Sequence, residues 1–575
     1  MFSSPTFQNR LVLDMDCTSD AVYYIQTGSR RCTTLEIDLQ VFGLLFSGDS
    51  FDFISGRQNM DDVKINENAK RMRFRRAAAC IVFLIFLGFV FTRITYIVRP
   101  VNESRQHLVG LNCGDVDMIY IGGSAAHRFW QPLKAWNDFG LTSYLYTQAS
   151  ISAESIQYFI QEAQKMQDTK LYVIDARSLQ YWVKQGDSRL HLVRLGLDGL
   201  DVFSSSRWQL IDKIFSTRDP SEMDDRVTFD WDIIKYHTAT ENLASPDAWK
   251  LVNNSAKHFN KGFEWAPRFE YLDAPVDYTT DDRAELDPTC QAILVDLLEY
   301  CKREKLNVLF VVCPYVINEE HQKIYNTVGD IVASYGFDFL NTNSEFYYDE
   351  IGVDFSMDFY DNDHMNPLGA NKYTAFLEKY ITDHYNLPNH TGDPTYSSWD
   401  EDYEHFAEEE LAQKGEVLDL ISRAKEGMVV ADLIASADNI LEWNMWALRD
   451  DRFTILFAKN GEIDTLEIAE QRAFEQWDLS LKSSGDIRVI SDESVIFTNV
   501  DSKKTSYSSK VGIDRAQGIK YEISNEEGEI SIVVDGVEYT SNQEGVSVVV
   551  INNDYRKVVD VLTVTCEDGH LVFKR

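Results

Sequence analysis

Basic residues are scarce in this 575-residue chain: 55 Lys and Arg stand against 92 Asp and Glu, giving a formal net charge of −37 and a pI near 4.6. A phosphate-binding surface needs clustered Lys and Arg, so nucleic acid is excluded as a partner. Cysteine is sparse too, with 8 residues. Cys17 and Cys32 precede a long apolar run that contains Cys80, which leaves Cys113, Cys290, Cys301, Cys313 and Cys566 beyond it. Cys290 and Cys301 bracket a helical pattern, which at 1.5 Å rise per residue holds them about 16 Å apart, too far for a bridge. Packed thiols are expected, not a disulfide framework. No Cys/His spacing suggests a metal site and no phosphate loop is present. No cofactor and no metal are therefore expected, and phosphatase or nuclease chemistry has little support.

What the chain does have is ordinary globular composition, 44% hydrophobic and 26% charged, with length for two to four domains. It also has one hydrophobic run. Residues 77–91 are all apolar or Gly, and after Thr92 and Arg93 the stretch 94–98 extends the run. That supplies roughly the 20 residues a bilayer requires. Arg93 is expected to snorkel toward the interface. Lys70, Arg71, Arg73, Arg75 and Arg76 flank its N-terminal side, so the N-terminus is expected in the cytoplasm and everything after Arg99 outside. No convincing small-x-small cleavage site follows, which favours an uncleaved anchor at 77–98. Residues 1–69 form a cytoplasmic segment of unknown role, apolar enough at 35–46 for a small folded element. Met60 or Met72 would place a short basic leader directly before the anchor, and a later start than Met1 is expected. A native peptide from residues 1–50 would reject it.

Beyond the anchor, apolar strand patterns at 116–121, 142–146, 170–175, 307–313 and 337–340 alternate with helical patterns at 125–138, 155–167 and 288–305. The fold class read from this alternation is α/β, a doubly wound, mostly parallel sheet over 99–390. A Trp-, His- and Asp-rich stretch at 183–285 interrupts it and reads as a helical insertion able to roof a site. Asn366-Pro367 starts the last helix, which runs to about His384. Asp400, Glu401, Asp402, Glu404, Glu408, Glu409 and Glu410 crowd an acidic linker or exposed helix at 391–435. A strand-rich α+β domain follows at 436–575, with strands near 453–458, 487–490, 530–534, 547–552 and 558–566 and a helix near 464–477. Asn460-Gly461, Asp535-Gly536 and Asp568-Gly569 punctuate it as turns.

Two short motifs carry chemistry. Gly122-Gly123-Ser124 follows the first strand of the sheet, and Asp361-Asn362-Asp363-His364 precedes its last helix. A serine hydroxyl becomes a useful nucleophile when an imidazole takes its proton and a carboxylate fixes that imidazole's tautomer. At a strand-to-helix turn the hydroxyl projects above the sheet, and helix-start N–H groups can receive an oxyanion. Either motif alone is most often a turn or a surface loop. Their order within one α/β domain points to Ser124 as nucleophile, His364 as base and Asp361 as orienter, with Asp363 an alternative to Asp361.

The segments 120–127 (Tyr-Ile-Gly-Gly-Ser-Ala-Ala-His) and 358–370 (from Asp358 through His364 and Asn366-Pro367 to Ala370) resemble the SGNH/GDSL hydrolase superfamily. The likeness is to a membrane-anchored bacterial branch similar to the teichoic-acid D-alanine transfer protein and the alginate acetylation proteins. Arg207-Trp208, Tyr236-His237 and Lys261-Gly262-Phe263 look like motifs of that branch's insertion, and the similarity spans about residues 77–385. The resemblance implies acyl transfer or ester hydrolysis on cell-envelope or exported polysaccharide, in a single-pass cell-membrane protein whose catalytic domain is extracytoplasmic. It also implies a multi-pass membrane acyl-donor protein as partner. Members place Gly and Asn after the second and third strands as oxyanion donors; here stand Thr147-Gln148-Ala149-Ser150 and Asp175-Ala176-Arg177-Ser178. Ser124's own N–H is then the first candidate donor, with Gly123, Gln148 and Arg177 as alternatives. His127 and His237 are open between substrate contact and a purely structural place.

The last domain resembles the interleukin-like EMT-inducer domain through 530–539 (Ile-Ser-Ile-Val-Val-Asp-Gly-Val-Glu-Tyr), 545–552 and 557–560. By that resemblance it binds carbohydrate, with Trp443, Trp446 and Tyr539 either stacking on sugar or sitting in the core. The alternative to a serine acyltransferase or esterase is a non-catalytic, membrane-anchored glycan-binding protein with a degenerate SGNH domain, which the missing Gly and Asn donors favour.

Overall fold

The computed structural model describes residues 61–575 apart from 113, 180–189, 219–220, 222, 255–259, 277, 492–493, 500–504, 512–517, 527–528 and 542. The element expected at 35–46, together with Cys17, Cys32, Met60 and Cys113, lies outside the described residues. Two units divide the chain, Met1–Leu87 and Gly88–Arg575. The described residues of the first belong to the helix Asp61–Val98, which from Arg71 to Val98 is long and apolar enough to cross a membrane. It stops where Pro100 follows, since the residue before a proline is pushed out of the helical region.

In the second unit β1 (Met118–Ile121), β2 (Ser143–Leu145), β3 (Leu171–Asp175), β4 (Val308–Val312) and β5 (Asp338–Asn341) form a parallel sheet in the order β2-β1-β3-β4-β5. Every residue of β1 to β4 is buried, the continuous apolar pattern of strands covered on both faces. The chain leaves β1 for β2 on one side and returns to β3 on the other. That reversal opens a crevice at the carboxyl ends of β1 and β3, where sheets of this order hold ligands.

Several expectations change. The helix expected at 125–138 is two, Ser124–Phe129 and Pro132–Phe139, because Gln131 before Pro132 is extended (φ −105°, ψ 94°). A further helix, Glu319–Ser334, joins β4 to β5. The insertion is helical only in part. It carries Leu190–Asp198, Ser205–Thr217, Val227–Asp230, Asp232–Lys235 and Pro246–Val252. Residues 263–276 and 278–287 then form neither helix nor strand, consistent with Pro267 and Pro275 and with no apolar periodicity.

The acidic stretch is part of a 40-residue helix, Ser397–Ser436. Asp400, Glu401 and Glu404 are exposed, but Trp399, Phe406, Val417, Ile421, Ala424, Ala431 and Ile434 recur at three-, four-, seven- and eleven-residue spacing and are buried. Some of its acids also dock on the α/β domain: Asp400 accepts from the Trp136 indole at 3.0 Å, and Glu409 from that of Trp265 at 2.8 Å.

The C-terminal region pairs two antiparallel sheets. One holds β8 (Phe453–Asn460), β9 (Ile487–Ser491), β10 (Ser494–Asn499), β15 (Gly545–Asn552), β16 (Lys557–Glu567) and β17 (His570–Lys574); the other holds β11 (Thr505–Val511), β12 (Ile519–Glu526), β13 (Glu529–Val534) and β14 (Val537–Glu538). Along β8 the side chains alternate: Leu456 and Ala458 pack toward β12 and β13, while Phe453, Ile455 and Phe457 pack against the helices Ile440–Ala447 and Ile468–Phe474. The latter helix is shorter than the expected 464–477. Asp535-Gly536 and Asp568-Gly569 take left-handed φ at both positions, the geometry of two-residue hairpin turns. Trp443 is fully buried, its indole donating to Asp560 at 3.2 Å, so it is a core residue. Trp446 packs partly buried on the same core, and Tyr539 on the core between the sheets.

Candidate active site

Ser124 opens its helix directly after β1 and Gly122-Gly123. A side chain at Gly122 would place its Cβ 2.5 Å from Asp175 Cβ and 2.9 Å from Ala126 Cβ, so only glycine lets the turn lie against β3. The Gly122 carbonyl accepts from the Gln148 backbone at 3.1 Å. In the first turn the Ala126 N–H donates to the Gly123 carbonyl at 3.1 Å, while the Ser124 and Ala125 N–H groups stand where a helix start offers donors without an i−4 partner.

The other half is a small hairpin. β6 (Phe359–Asp361) and β7 (His364–Met365) pair antiparallel with Asp361 opposite His364. Asn366 caps the helix Pro367–His384 through Leu368 and Gly369 and donates to the carbonyls of Met357 at 2.8 Å and Phe359 at 3.3 Å, tying the hairpin to the helix start.

These two pieces meet. Ser124 Oγ lies 2.7 Å from His364 Nε2, and His364 Nδ1 lies 2.9 Å from both Asp361 oxygens. With Nδ1–H donating to the carboxylate, Nε2 is the acceptor for the serine proton, the arrangement a general base requires. Asp361 also accepts from the Asp363 backbone at 2.8 Å, and the Tyr360 ring stacks on the imidazole at 5.4 Å between centroids.

A cavity of about 230 Å³ opens beside the serine. Gly123, Asp175, Arg177 and Asp363 line it, and Leu192, Val193 and Arg218 of the insertion close one side. Asp175, 1% exposed, accepts from the Arg177 N–H at 3.0 Å and from Gly123. Burial raises its pKa, with Arg177 pulling the other way. The Arg177 guanidinium lines the same cavity as Ser124 and is held by the turn beside His364. It donates to the Asp363 carbonyl at 2.7 Å and carboxylate at 2.9 Å and lies over the Tyr315 ring at 4.4 Å. Burial opposes its charge, but the neighbouring Cys313, Asp175 and Asp363 hold its pKa well above the usual value. Arg177 thus braces the turn between Asp361 and His364, and Asp363 is engaged by Arg177.

The structure places the remaining candidates elsewhere. Gln148 Nε2 donates to the Leu192 carbonyl at 2.8 Å, holding the insertion and not lining the cavity. His127 is buried against Thr147 Oγ1 at 3.1 Å and Glu103 at 2.9 Å. His237 is exposed and bonded to the Ile234 carbonyl at 2.8 Å. Glu103, His127 and Glu264 bring three ligand-type atoms within 4.8 Å of one another, but Arg128 pairs with Glu264 at 3.0 Å and His127 is already engaged. Ser150, Ser152, Asp175, Ser178 and Arg218 also line the cavity, none of them a site candidate from the sequence. At Gly123 a Cβ would stand 3.9 Å from Asp175 Oδ2 and the Ser150 nitrogen, and 4.0 Å from Ser178 Oγ. The signal for Ser150 and Ser178 was their offset from the ends of β2 and β3, where the Gly and Asn of the resemblance were sought. Ser150 takes a left-handed φ of 53°.

The C-terminal region reaches this hairpin indirectly. The Glu270 N–H donates to the Phe359 carbonyl at 3.0 Å, and its carboxylate accepts from Arg556 at 2.7 Å. No protein-family model matches the chain, and no curated protein matches it either.

Proposed function

We propose that the protein is a serine acyltransferase or esterase of the SGNH type, anchored in a cell membrane by the helix Asp61–Val98 with its N-terminus inside and its site outside. The observation that carries this reading is the 2.7 Å approach of Ser124 Oγ to His364 Nε2, backed by Asp361 at 2.9 Å. Ser124 Oγ attacks the acyl carbonyl while His364 Nε2 takes its proton. The tetrahedral oxyanion is received by N–H groups at the start of the Ser124 helix, assisted by Ser150 and Ser178. Collapse expels the leaving alcohol, which takes the proton back from His364 and leaves an acyl-enzyme ester on Ser124. A second hydroxyl, from a glycan or from water, gives its proton to His364, attacks the ester and frees Ser124.

The resemblance at 120–127 and 358–370 makes an envelope or exported polysaccharide the favoured substrate and a multi-pass membrane protein the favoured acyl donor. The insertion residues beside the cavity favour an acceptor that displaces water. The C-terminal region, read as an interleukin-like EMT-inducer domain, would add affinity for glycan through surfaces other than Trp443. The test is p-nitrophenyl acetate turnover and labelling by a fluorophosphonate. Wild-type protein is expected to do both and Ser124→Ala neither. A folded wild type inert to both overturns the reading in favour of a non-catalytic glycan binder, and an active Ser124→Ala overturns the mechanism.

A further inference from the structure

The insertion packs against one side of the last turns of the anchor helix, where Ile94 stays exposed. The Phe91 ring meets Trp231 edge-on at 6.2 Å, and Tyr96 meets Phe203 at the same separation. Arg93 donates to Asn253 Oδ1 at 2.6 Å and to the Val252 carbonyl at 3.4 Å, so its charge finds protein partners. Ile97 and Val98 are buried with Ala248, while the Asn242 amide reaches the Arg99 carbonyl at 3.0 Å. Arg99, itself 1% exposed, is locked between Asp198 and Asp232.

Around that junction the insertion exposes large apolar side chains: Phe203 (44%), Val227 (44%), Trp231 (40%), Ile234 (43%), Leu243 (51%) and Trp249 (36%). Phe203 and Trp231 touch the helix end themselves, and Leu243 and Trp249 are next in sequence to Asn242 and Ala248, which do. Charges are interleaved with them, and most pair locally: Lys235 with Asp224 at 3.2 Å, Lys250 with Asp247 at 2.8 Å and Arg226 with Asp230 at 3.5 Å, while Asp225 and Glu241 are exposed at the rim.

Depth along the helix identifies what they face. A hydrocarbon core takes about 20 residues at 1.5 Å each, and counted from Ala77 it ends near Tyr96. Phe91 then lies about 8 Å inside that boundary. Trp231, in ring contact with Phe91, is carried to the same depth. Tryptophan beside an apolar span is the residue type that favours the lipid–water interface. We propose that the insertion forms an apolar collar seated in the outer leaflet of the bilayer the helix crosses, with acyl chains covering these side chains. The proposal rests on the membrane-spanning reading of the helix and is independent of the chemistry at Ser124. With Leu192, Val193 and Arg218 of the same insertion lining the cavity, the collar would also hold the site at a fixed height above the lipid.

The test uses the full chain in nanodiscs of phosphatidylethanolamine and phosphatidylglycerol carrying a photoactivatable diazirine in the acyl chain, with adducts mapped by mass spectrometry. Peptides with Trp231, Leu243 and Trp249 are expected to be labelled several-fold above those with Leu411 and Leu418, which are apolar and 78% and 49% exposed. In Ile234→Glu/Leu243→Glu the collar labelling is expected to fall to the Leu411 level while labelling at 77–91 persists. Adducts at 77–91 with none above the Leu411 level on the collar overturn the proposal, as does a collar that cross-links to another protein in native membranes and not to lipid. An unlabelled 77–91 overturns the membrane-spanning reading itself, and the proposal with it.

Discussion

Arg177 holds Asp363 at two points, the carbonyl at 2.7 Å and the carboxylate at 2.9 Å, and so fixes the turn that sets His364 opposite Asp361. Because the guanidinium acts through the turn, Arg177 is a positioning residue. Arg177→Ala is expected to lower kcat about 10- to 100-fold toward p-nitrophenyl acetate with little change in KM, since small misplacements of a base carry that cost. Arg177→Lys should restore only part of the loss, a lysine being unable to span both oxygens. A loss confined to KM would show that Arg177 binds substrate instead.

Removing triad members one at a time is expected to be non-additive. His364→Ala should cost nearly as much as Ser124→Ala, and the double variant little more than either, because the residues act as a unit. Asp361→Asn keeps the shape but not the charge that orients Nδ1–H, and a fall of about 10³- to 10⁴-fold is expected in steady-state turnover. An Asp363→Asn variant that lost more than Asp361→Asn would assign the orienter to the wrong carboxylate.

Gly122→Ala probes the elbow. Its Cβ would stand 2.5 Å from Asp175 Cβ, a contact between two short, stiff groups, so backbone must move. A loss of about 1–3 kcal/mol in urea denaturation is expected, with turnover falling further than stability. Gly123→Ala meets nothing closer than 3.9 Å and should be milder on both measures.

Glu103 gives a pH signature. Burial works against its carboxylate, yet the adjacent His127 holds its pKa down to about 2, from an ordinary 4.5. A depressed acid stabilises the folded state above its unfolded pKa, and that contribution is lost as pH falls from about 4.5 toward 2. Glu103→Gln is therefore expected to be less stable than wild type at pH 7 by about 1–3 kcal/mol, with the gap closing below pH 4. A gap that stays constant in denaturant titrations between pH 7 and 3 would rule the linkage out.

Arg556 pairs with Glu270, whose N–H holds β6. Arg556→Ala strands a carboxylate already raised by burial and close to Asp361. A loss of about 1–3 kcal/mol is expected, with Arg556→Ala/Glu270→Gln recovering part of it. Full additivity in that cycle would show that the two residues do not interact.

The parallel sheet was readable because each strand is a short apolar run bounded by polar residues, and five such runs fall within two or three residues of the observed strands. Ser124, Asp361 and His364 were readable because the elbow and the hairpin are local motifs. What joins distant segments was not. The bond from Arg177 to Asp363 joins residues 186 positions apart, and no local pattern marks it. The acidic run at 400–410 reads as solvated because charge conceals the wider spacing of Trp399 and Phe406. Strand β12 alternates apolar with polar residues across a face open to solvent, and β11 has only Tyr507 and Val511 as apolar residues, patterns weaker than a continuous run.

The helix Ser397–Ser436 contributes Trp399 and Phe406 to the core under the parallel sheet, Val417, Ile421 and Ala424 to a middle cluster with Phe269 and Tyr555, and Ala431 and Ile434 to the core of the C-terminal sheets. At 1.5 Å per residue it is a rod of about 60 Å, shared by all three. Neither lobe can melt while leaving that rod intact, so heat should release both in one calorimetric transition, and damage in the distal lobe should lower the temperature at which the serine lobe gives way.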